Sequence, residues 1–186
     1  MDAAKLRAEL ERLHADSYGW TLACCARDPS EAEDVLQTVY WKILAGKARY
    51  DGRAEFKTWL FSVIRKTAAD AWRRKLLRRM WFVESEDDAA EVASPERTEV
   101  AIERSETQVL LEQALLSLPR RQQQALHLVF YHDLSVQQAA EVMGVSLGSA
   151  RTHYERGKAG LRQWLTESRV FDEPRIGRSE TEKALP

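Results

Sequence analysis

The stretch from Ser146 to Lys158 carries Ser149, Arg151, Thr152, His153, Arg156 and Lys158 against a single acid, Glu155. On one helix, these hydroxyl, guanidinium, imidazole and ammonium donors suit base edges and phosphates in a major groove. The residues just before them build the frame. Ser135 and Gln138 make a capping box for a short helix with apolar positions Val136, Ala139, Ala140 and Met143. Gly144 supplies the left-handed residue that ends it, Val145 plugs the turn, and Ser146 caps the helix that follows. Ala140, Gly144 and Ala150 put small residues where two helices cross, the helix-turn-helix arrangement. The plainer alternative is a helical hairpin whose charges are only solvated. The small crossing residues and the scarcity of acids argue against it.

A second constellation interleaves cations with rings. Phe61, Arg65 and Trp72 oppose the apolar stripe Phe56, Trp59, Leu60, Val63 and Ile64, with Lys66, Arg73, Arg74, Lys75, Arg78 and Arg79 alongside. Cations follow phosphates and flat rings receive unstacked bases, so this pattern suits single-stranded nucleic acid. Phe61 and Trp72 equally fit the core of a three-helix packing. The loop from Lys47 to Glu55 lies beside this face and could pocket a flipped base.

The third constellation is a patch. Asp34, Gln37, Thr38 and Trp41, at offsets 0, 3, 4 and 7, fall opposite the apolar face Ala32, Val35, Leu36, Val39, Tyr40, Ile43 and Leu44. A tryptophan among small polar groups on an outer face reads as a protein–protein anchor. The alternative is that the first helix folds over Trp41 and buries it.

Bond-making chemistry finds no support. His14, His127, His132 and His153 are scattered, and an offset of five does not bring His127 and His132 to one helix face. His132-Asp133 reads as a helix end entering a turn. Cys24 and Cys25, adjacent and alone, read as core rather than a bridge or a thiolate zinc site. No phosphate loop, nucleophile elbow or carboxylate pair occurs. No catalytic residue, metal or cofactor is expected.

The elements that must hold these groups are helical throughout. Residues 1–83 carry sixteen Lys and Arg against eleven Asp and Glu, and residues 84–106 carry two against nine. Residues 107–168 carry six against five, and residues 169–186 four of each. Basic, acidic and near-neutral blocks predict two small helical domains, 1–83 and 109–168, joined by a mobile acidic linker, 84–108, and followed by a frayed tail, 169–186. In the first domain, Leu6, Leu10, Leu13 and Trp20 space one helix running toward Asp28-Pro29. A second opens on a Ser30–Glu33 capping box after Pro29, and a third begins near Glu55 after a connection marked by Gly46 and Gly52. No apolar run reaches the roughly 20 residues of a membrane span and no signal peptide opens the chain, so no membrane insertion and a cytoplasmic location are expected.

These segments resemble a known family. SEAEDVLQTVYWKIL, a glycine-containing loop and EFKTWLFSVIRKTAADAWRRK are similar to the second conserved region of extracytoplasmic-function sigma factors. LLSLPRRQQQALHLVFYHDLSVQQAAEVMGVSLGSARTHYERGKAGLRQWL is similar to their fourth, together covering roughly residues 10–82 and 109–165 in the expected order. The resemblance implies a three- to four-helix region 2 bundle and a region 4 helix-turn-helix, working on the nucleoid as a monomer within polymerase holoenzyme. It implies that Glu33, Asp34, Gln37, Thr38 and Trp41 dock on the β′ clamp of core RNA polymerase, with the second domain meeting the β flap. It implies that Tyr50, Arg53, Phe56, Lys57, Phe61, Arg65, Lys66, Trp72, Arg73 and Arg74 read and melt a single-stranded −10 element. Ser135, Ser146, Ser149, Arg151, Thr152, His153, Arg156 and Lys158 would then hold double-stranded −35 DNA. An anti-sigma protein or another inhibitory regulator is an implied partner. Two positions depart from the family pattern: His153 where Arg is frequent, and Gly157 where Ala is usual, which loosens the helix by roughly 0.5–1 kcal/mol. The alternative function is a helix-turn-helix regulator that dimerises through residues 1–83 and acts on duplex DNA without polymerase.

Overall fold

A computed structural model describes residues 2–82 and 106–167, and every regular element among them is an α-helix. The acidic stretch 84–105 and the tail beyond Glu167 lie outside the described residues.

Asp2 caps α1 (Ala3–Arg12) by accepting from the Lys5 N–H at 2.8 Å. The single opening helix expected from the sequence is two. Leu13 leaves helical geometry and sits buried, and α2 (His14–Cys24) starts after it. No glycine or proline marks the bend; the inward packing of Leu13 accompanies it.

The next cap also differs from expectation. α3 (Pro29–Leu44) is closed by Asp28, whose carboxylate accepts from the Glu31 N–H at 3.1 Å, with Pro29 at the first helical position. The Ser30–Glu33 box therefore does not form, because the helix has already begun when Ser30 is reached. α4 (Phe56–Phe82) is long, 27 residues, about 40 Å. Phe56, Leu60, Phe61, Ile64 and Ala68 bury its first half against α2 and α3, while Trp72, Leu76, Leu77 and Met80 stand exposed along the second.

The second half of the chain comprises α5 (Glu106–Leu116), α6 (Arg120–Phe130), α7 (Val136–Met143) and α8 (Leu147–Glu167). Leu115, Leu118 and Leu126 form its own small core. Gly157 has a packing role that the sequence reading missed. It is buried, and a Cβ there would stand 3.1 Å from the Leu126 side chain. The glycine that loosens α8 also lets it lie close against α6.

The main core crosses from one half to the other. Leu128, Leu134, Ala139, Val142 and Met143 pack in one cluster with Trp20, Phe61 and Ile64. Polar bonds rim this seam. Lys57 pairs with Asp16 at 2.8 Å and donates to the His132 carbonyl at 3.0 Å. Arg65 Nε donates to the Val142 carbonyl at 2.8 Å, and Gln138 Nε2 to the Glu55 carboxylate at 2.7 Å.

Candidate nucleic-acid and partner interfaces

The helix-turn-helix forms by the local chemistry read from the sequence. The Ser135 hydroxyl accepts from the Gln138 N–H at 3.2 Å while Gln138 Oε1 accepts from the Ser135 N–H at 2.8 Å. Gly144 takes the left-handed conformation, φ 63°. Ser146 Oγ caps α8 by accepting from the Ser149 N–H at 3.1 Å. Ala150 is buried against α7, which turns Ser149, Arg151, Thr152 and Arg156 outward. His153 is half-buried. Lys158 is drawn inward, pairing with Glu155 at 2.9 Å and lying 4.5 Å over the Tyr154 ring. Ser135, at the start of α7, is exposed with its hydroxyl accepting the cap bond. The set exposed on the outer face of α8 is therefore Ser149, Arg151, Thr152 and Arg156.

The face expected to read a strand is divided. Arg53, Lys66, Trp72, Arg73 and Arg74 are exposed and Tyr50 half-buried. Tyr50, Phe56 and Trp59 pack edge-on and tilted into one aromatic cluster, with ring centres 5.2–5.3 Å apart. No open base pocket stands among those three rings; the loop has folded back on α4, and the Tyr50 hydroxyl donates to the Ala54 carbonyl at 2.6 Å. Phe61, expected on this face, is fully buried, stacked on Trp20 at 6.0 Å and met edge-on by His132 at 4.7 Å. Phe56 is buried, Lys57 is paired with Asp16, and Arg65 is half-buried with its Nε held by the Val142 carbonyl. In this arrangement the Phe56 and Phe61 rings cannot touch a DNA strand, because both are packed into the core, Phe61 against residues of the second half of the chain. A 3.6-residue pattern shows which way Phe61 points but not what will cover it.

The α3 patch is open. Trp41 is 55% exposed, with Glu33, Asp34 and Gln37 exposed beside it and Thr38 half-buried. The first helices do not fold over it. Lys47, read from the sequence only as the start of the loop beside the third helix, lies 4.1 Å over the Trp41 ring in a cation–π contact. Its place in the loop immediately after α3 was the available signal.

His127 and His132 do meet, with ring centres 5.0 Å apart, because the helix ends at Phe130 and an offset of five no longer measures a helical face. Both rings lie on Trp20 at the seam. No third ligand joins them; among the described residues no group of three or more His, Cys, Asp or Glu could hold a metal. Burial first, then the nearby charges of His132 and Arg27, push His127 down to about 3. Burial and Lys57, opposed by Asp16 and Asp133, push His132 down to about 4. Both rings are thus neutral in the packed state at pH 7, whereas in an opened chain they take protons near the ordinary value of about 6.5. The packed state is fully favoured above that value and loses stability as pH falls from about 6.5 toward 4. Allowing for solvent at the part-exposed seam, the loss at pH 5 is about 2–3 kcal/mol for the pair. Thermal melts should drop by several degrees between pH 7.5 and 5, and the double variant His127→Gln/His132→Gln should flatten that slope. An equally steep slope in the variant would rule the pair out as its source. Cys24 and Cys25 are free and buried; burial pushes the Cys25 thiol up to about 11, so neither is a poised nucleophile.

Comparison with known proteins bears on both halves. Residues 11–78 match the family model of sigma-70 region 2, and residues 108–161 that of sigma-70 region 4. The chain is 28% identical over 145 residues to the RNA polymerase sigma factor YlaC of Bacillus subtilis, covering 78% of this chain and 82% of that protein. It is 29% identical over 174 residues to the ECF RNA polymerase sigma factor SigX of the same organism, covering 89% and 87%. In fold it is similar to the sigma factor RpoE of Bartonella quintana, solved with the anti-sigma factor NepR. The TM-score there is 0.66 at 17% identity, over 87% of this chain and 97% of that one.

Proposed function

The chain belongs to the extracytoplasmic-function group of the sigma-70 family, and on that premise we propose how its surfaces share the work of starting transcription. It is an RNA polymerase sigma factor, which joins core polymerase and directs it to promoter DNA. The carrying observation is one chain that holds an open Trp41 patch and a formed helix-turn-helix. A duplex regulator needs only the second.

Glu33, Asp34, Gln37, Thr38 and Trp41 dock on the β′ clamp, with Trp41 as the anchor at the centre of the patch. The outer face of α8, led by Arg151, Thr152 and Arg156, reads the −35 duplex, and the flap of the β subunit holds this half in place. Arg53, Lys66, Trp72, Arg73 and Arg74 meet the −10 strand first. Phe56, Lys57, Phe61 and Arg65 join only when the second half has swung away, so engagement with polymerase and seam opening are coupled. The factor does no bond chemistry of its own. No helix among the described residues is long and apolar enough to cross a membrane, which accords with work in the cytoplasm. The Bartonella neighbour was captured with an anti-sigma factor, and an inhibitory protein partner of that kind is proposed here too.

Run-off transcription with purified core polymerase on genomic fragments tests the reading. Transcripts should require both proteins, and gel shifts of the factor alone on the same promoters should be weak. Tight polymerase-independent binding to duplex sites would favour the regulator alternative. Within this scheme Arg151→Ala is expected to lower −35-dependent initiation about tenfold, the cost of one good base or phosphate contact. Affinity for core polymerase should stay unchanged. Equal losses in both assays would contradict the role of Arg151.

A further inference from the structure

Between α4 and the start of α6 lies an open cleft of about 580 Å³, within the size range of small-molecule sites. Arg65, Lys66 and Arg73 line it from α4, and Arg120 and Arg121 from α6. The only carboxylate in its lining, Asp70, is already paired with Arg73. Three of these guanidiniums are held by carbonyl oxygens instead of acids: Arg65 by Val142 at 2.8 Å, Arg120 by Cys24 at 2.7 Å and Arg121 by Met143 at 3.3 Å. Such bonds fix the side chains in place without a formal negative charge; the carbonyls close α2 and α7, whose negative dipole ends offset only part of the cationic charge. Among the described residues no carboxylate pairs with Arg65, Lys66, Arg120 or Arg121.

The strain of that arrangement is electrostatic. Burial, followed by the like charges of Arg121 and Arg120, holds the Arg65 guanidinium below its usual range. α6 begins at the same place with Pro119 as its cap and no side-chain cap bond, so its positive dipole end adds to the field. Two more groups complete the lining. Gln124 is 6% exposed and its Oε1 has no partner, while Trp72 is 54% exposed. The amide can accept from a base or ribose hydroxyl, or turn over and donate to phosphate. The indole offers a flat face to a base.

The geometry points to a polyphosphate site: a short polyphosphate, free or carried on a nucleoside, binds across the seam and staples the two halves in the closed arrangement. Five cations against one paired acid ask for several negative charges in a small volume. A polyphosphate carries them, a single carboxylate does not, and the cleft is too small for a duplex. By mass action the occupant stabilises the state in which Phe61 is covered and Arg65 is engaged in the cleft, and so holds the factor back from promoter DNA. The binding itself depends only on the closed seam, while its effect on promoter DNA rests on the initiation reading.

The test is calorimetric titration of the full chain at low salt with sodium tripolyphosphate and, separately, with GTP. Both should bind, and Arg65→Ala and Arg121→Ala should each weaken binding about tenfold or more. Arg162→Ala, which removes the same charge from α8 outside the cleft, should stay within about twofold. Trp72→Ala should weaken GTP alone if the base stacks; tighter GTP binding assigns a nucleoside polyphosphate, and equal affinities assign the phosphate chain. Hydrogen exchange on the unaltered chain guards against variants that open the seam: tripolyphosphate should protect both α4 and the first turns of α6. Absence of binding, binding indifferent to Arg121→Ala, or protection confined to α4 would each overturn the site.

Discussion

Replacing Trp20 with alanine is expected to cost about 3–5 kcal/mol of stability, the range for emptying a fully buried aromatic position. Trp20 has no exposed surface. Its indole N–H donates to the Phe61 carbonyl at 3.1 Å and its ring stacks on Phe61 at 6.0 Å. The same ring carries His127 and His132 from the other half of the chain. Truncation therefore removes a large apolar contact, takes away the second hydrogen bond on the helical Phe61 carbonyl and removes the floor on which the second half sits. For a chain of this size the melting temperature should fall by roughly 10–15 °C, read by circular dichroism. The position of the residue makes a second consequence specific. Hydrogen exchange should quicken in α6 and α7 as well as in α2 and α4, because the core is shared. A loss below about 1.5 kcal/mol, or one confined to residues 2–82, would show that Trp20 does not join the halves.

The parts of the fold that were legible in the sequence are those decided locally. The Ser135–Gln138 box, the left-handed Gly144 and the Ser146 cap each depend on neighbours within four residues, and each formed as read. The Trp41 patch was legible for a related reason: α3 has one broad apolar face, and whatever lies opposite is left outside. Cap placement failed by two residues at Asp28, because Asp28 and Ser30 are both good caps and Pro29 favours the earlier start.

Tertiary partners were the illegible part. Phe61 could be written as a base-stacking ring or a core ring from its helical phase alone, and the choice fell to Trp20 and His132, 41 and 71 positions away. The meeting of His127 with His132 needed knowledge of where α6 stops. Arg120 and Arg121 attracted no notice as two basic residues at a helix start. They became informative once α2 and α7 brought carbonyl oxygens to them. Charge counted along the chain cannot find such a cleft, since its cations come from two separate blocks.

The double variant Asp34→Ala/Trp41→Ala is expected to weaken binding to core polymerase by about 30-fold or more. Central interface tryptophans are typically worth 2 kcal/mol or more on truncation, and 1.4 kcal/mol is tenfold. Trp41 stands 55% exposed with Lys47 over its ring, so its removal empties nothing inside the fold. Asp34 is exposed at the rim of a shallow cleft with Thr38, Arg74 and Arg78, and its loss should act mostly on association rate and salt dependence. Thermal stability should then stay within about 0.5 kcal/mol of the parent, as for ordinary surface changes. That separation gives the experiment its force. Seam opening and polymerase docking are proposed to be coupled, so a factor that cannot dock should also fail to uncover Phe56 and Phe61 when polymerase is added. Hydrogen exchange of α4 with and without core enzyme reads this directly: the parent chain should lose protection at the seam, and the double variant should not. Unchanged polymerase affinity would remove α3 from the docking surface. Normal affinity together with a seam that stays shut would break the coupling instead, leaving the two halves to open by some other trigger.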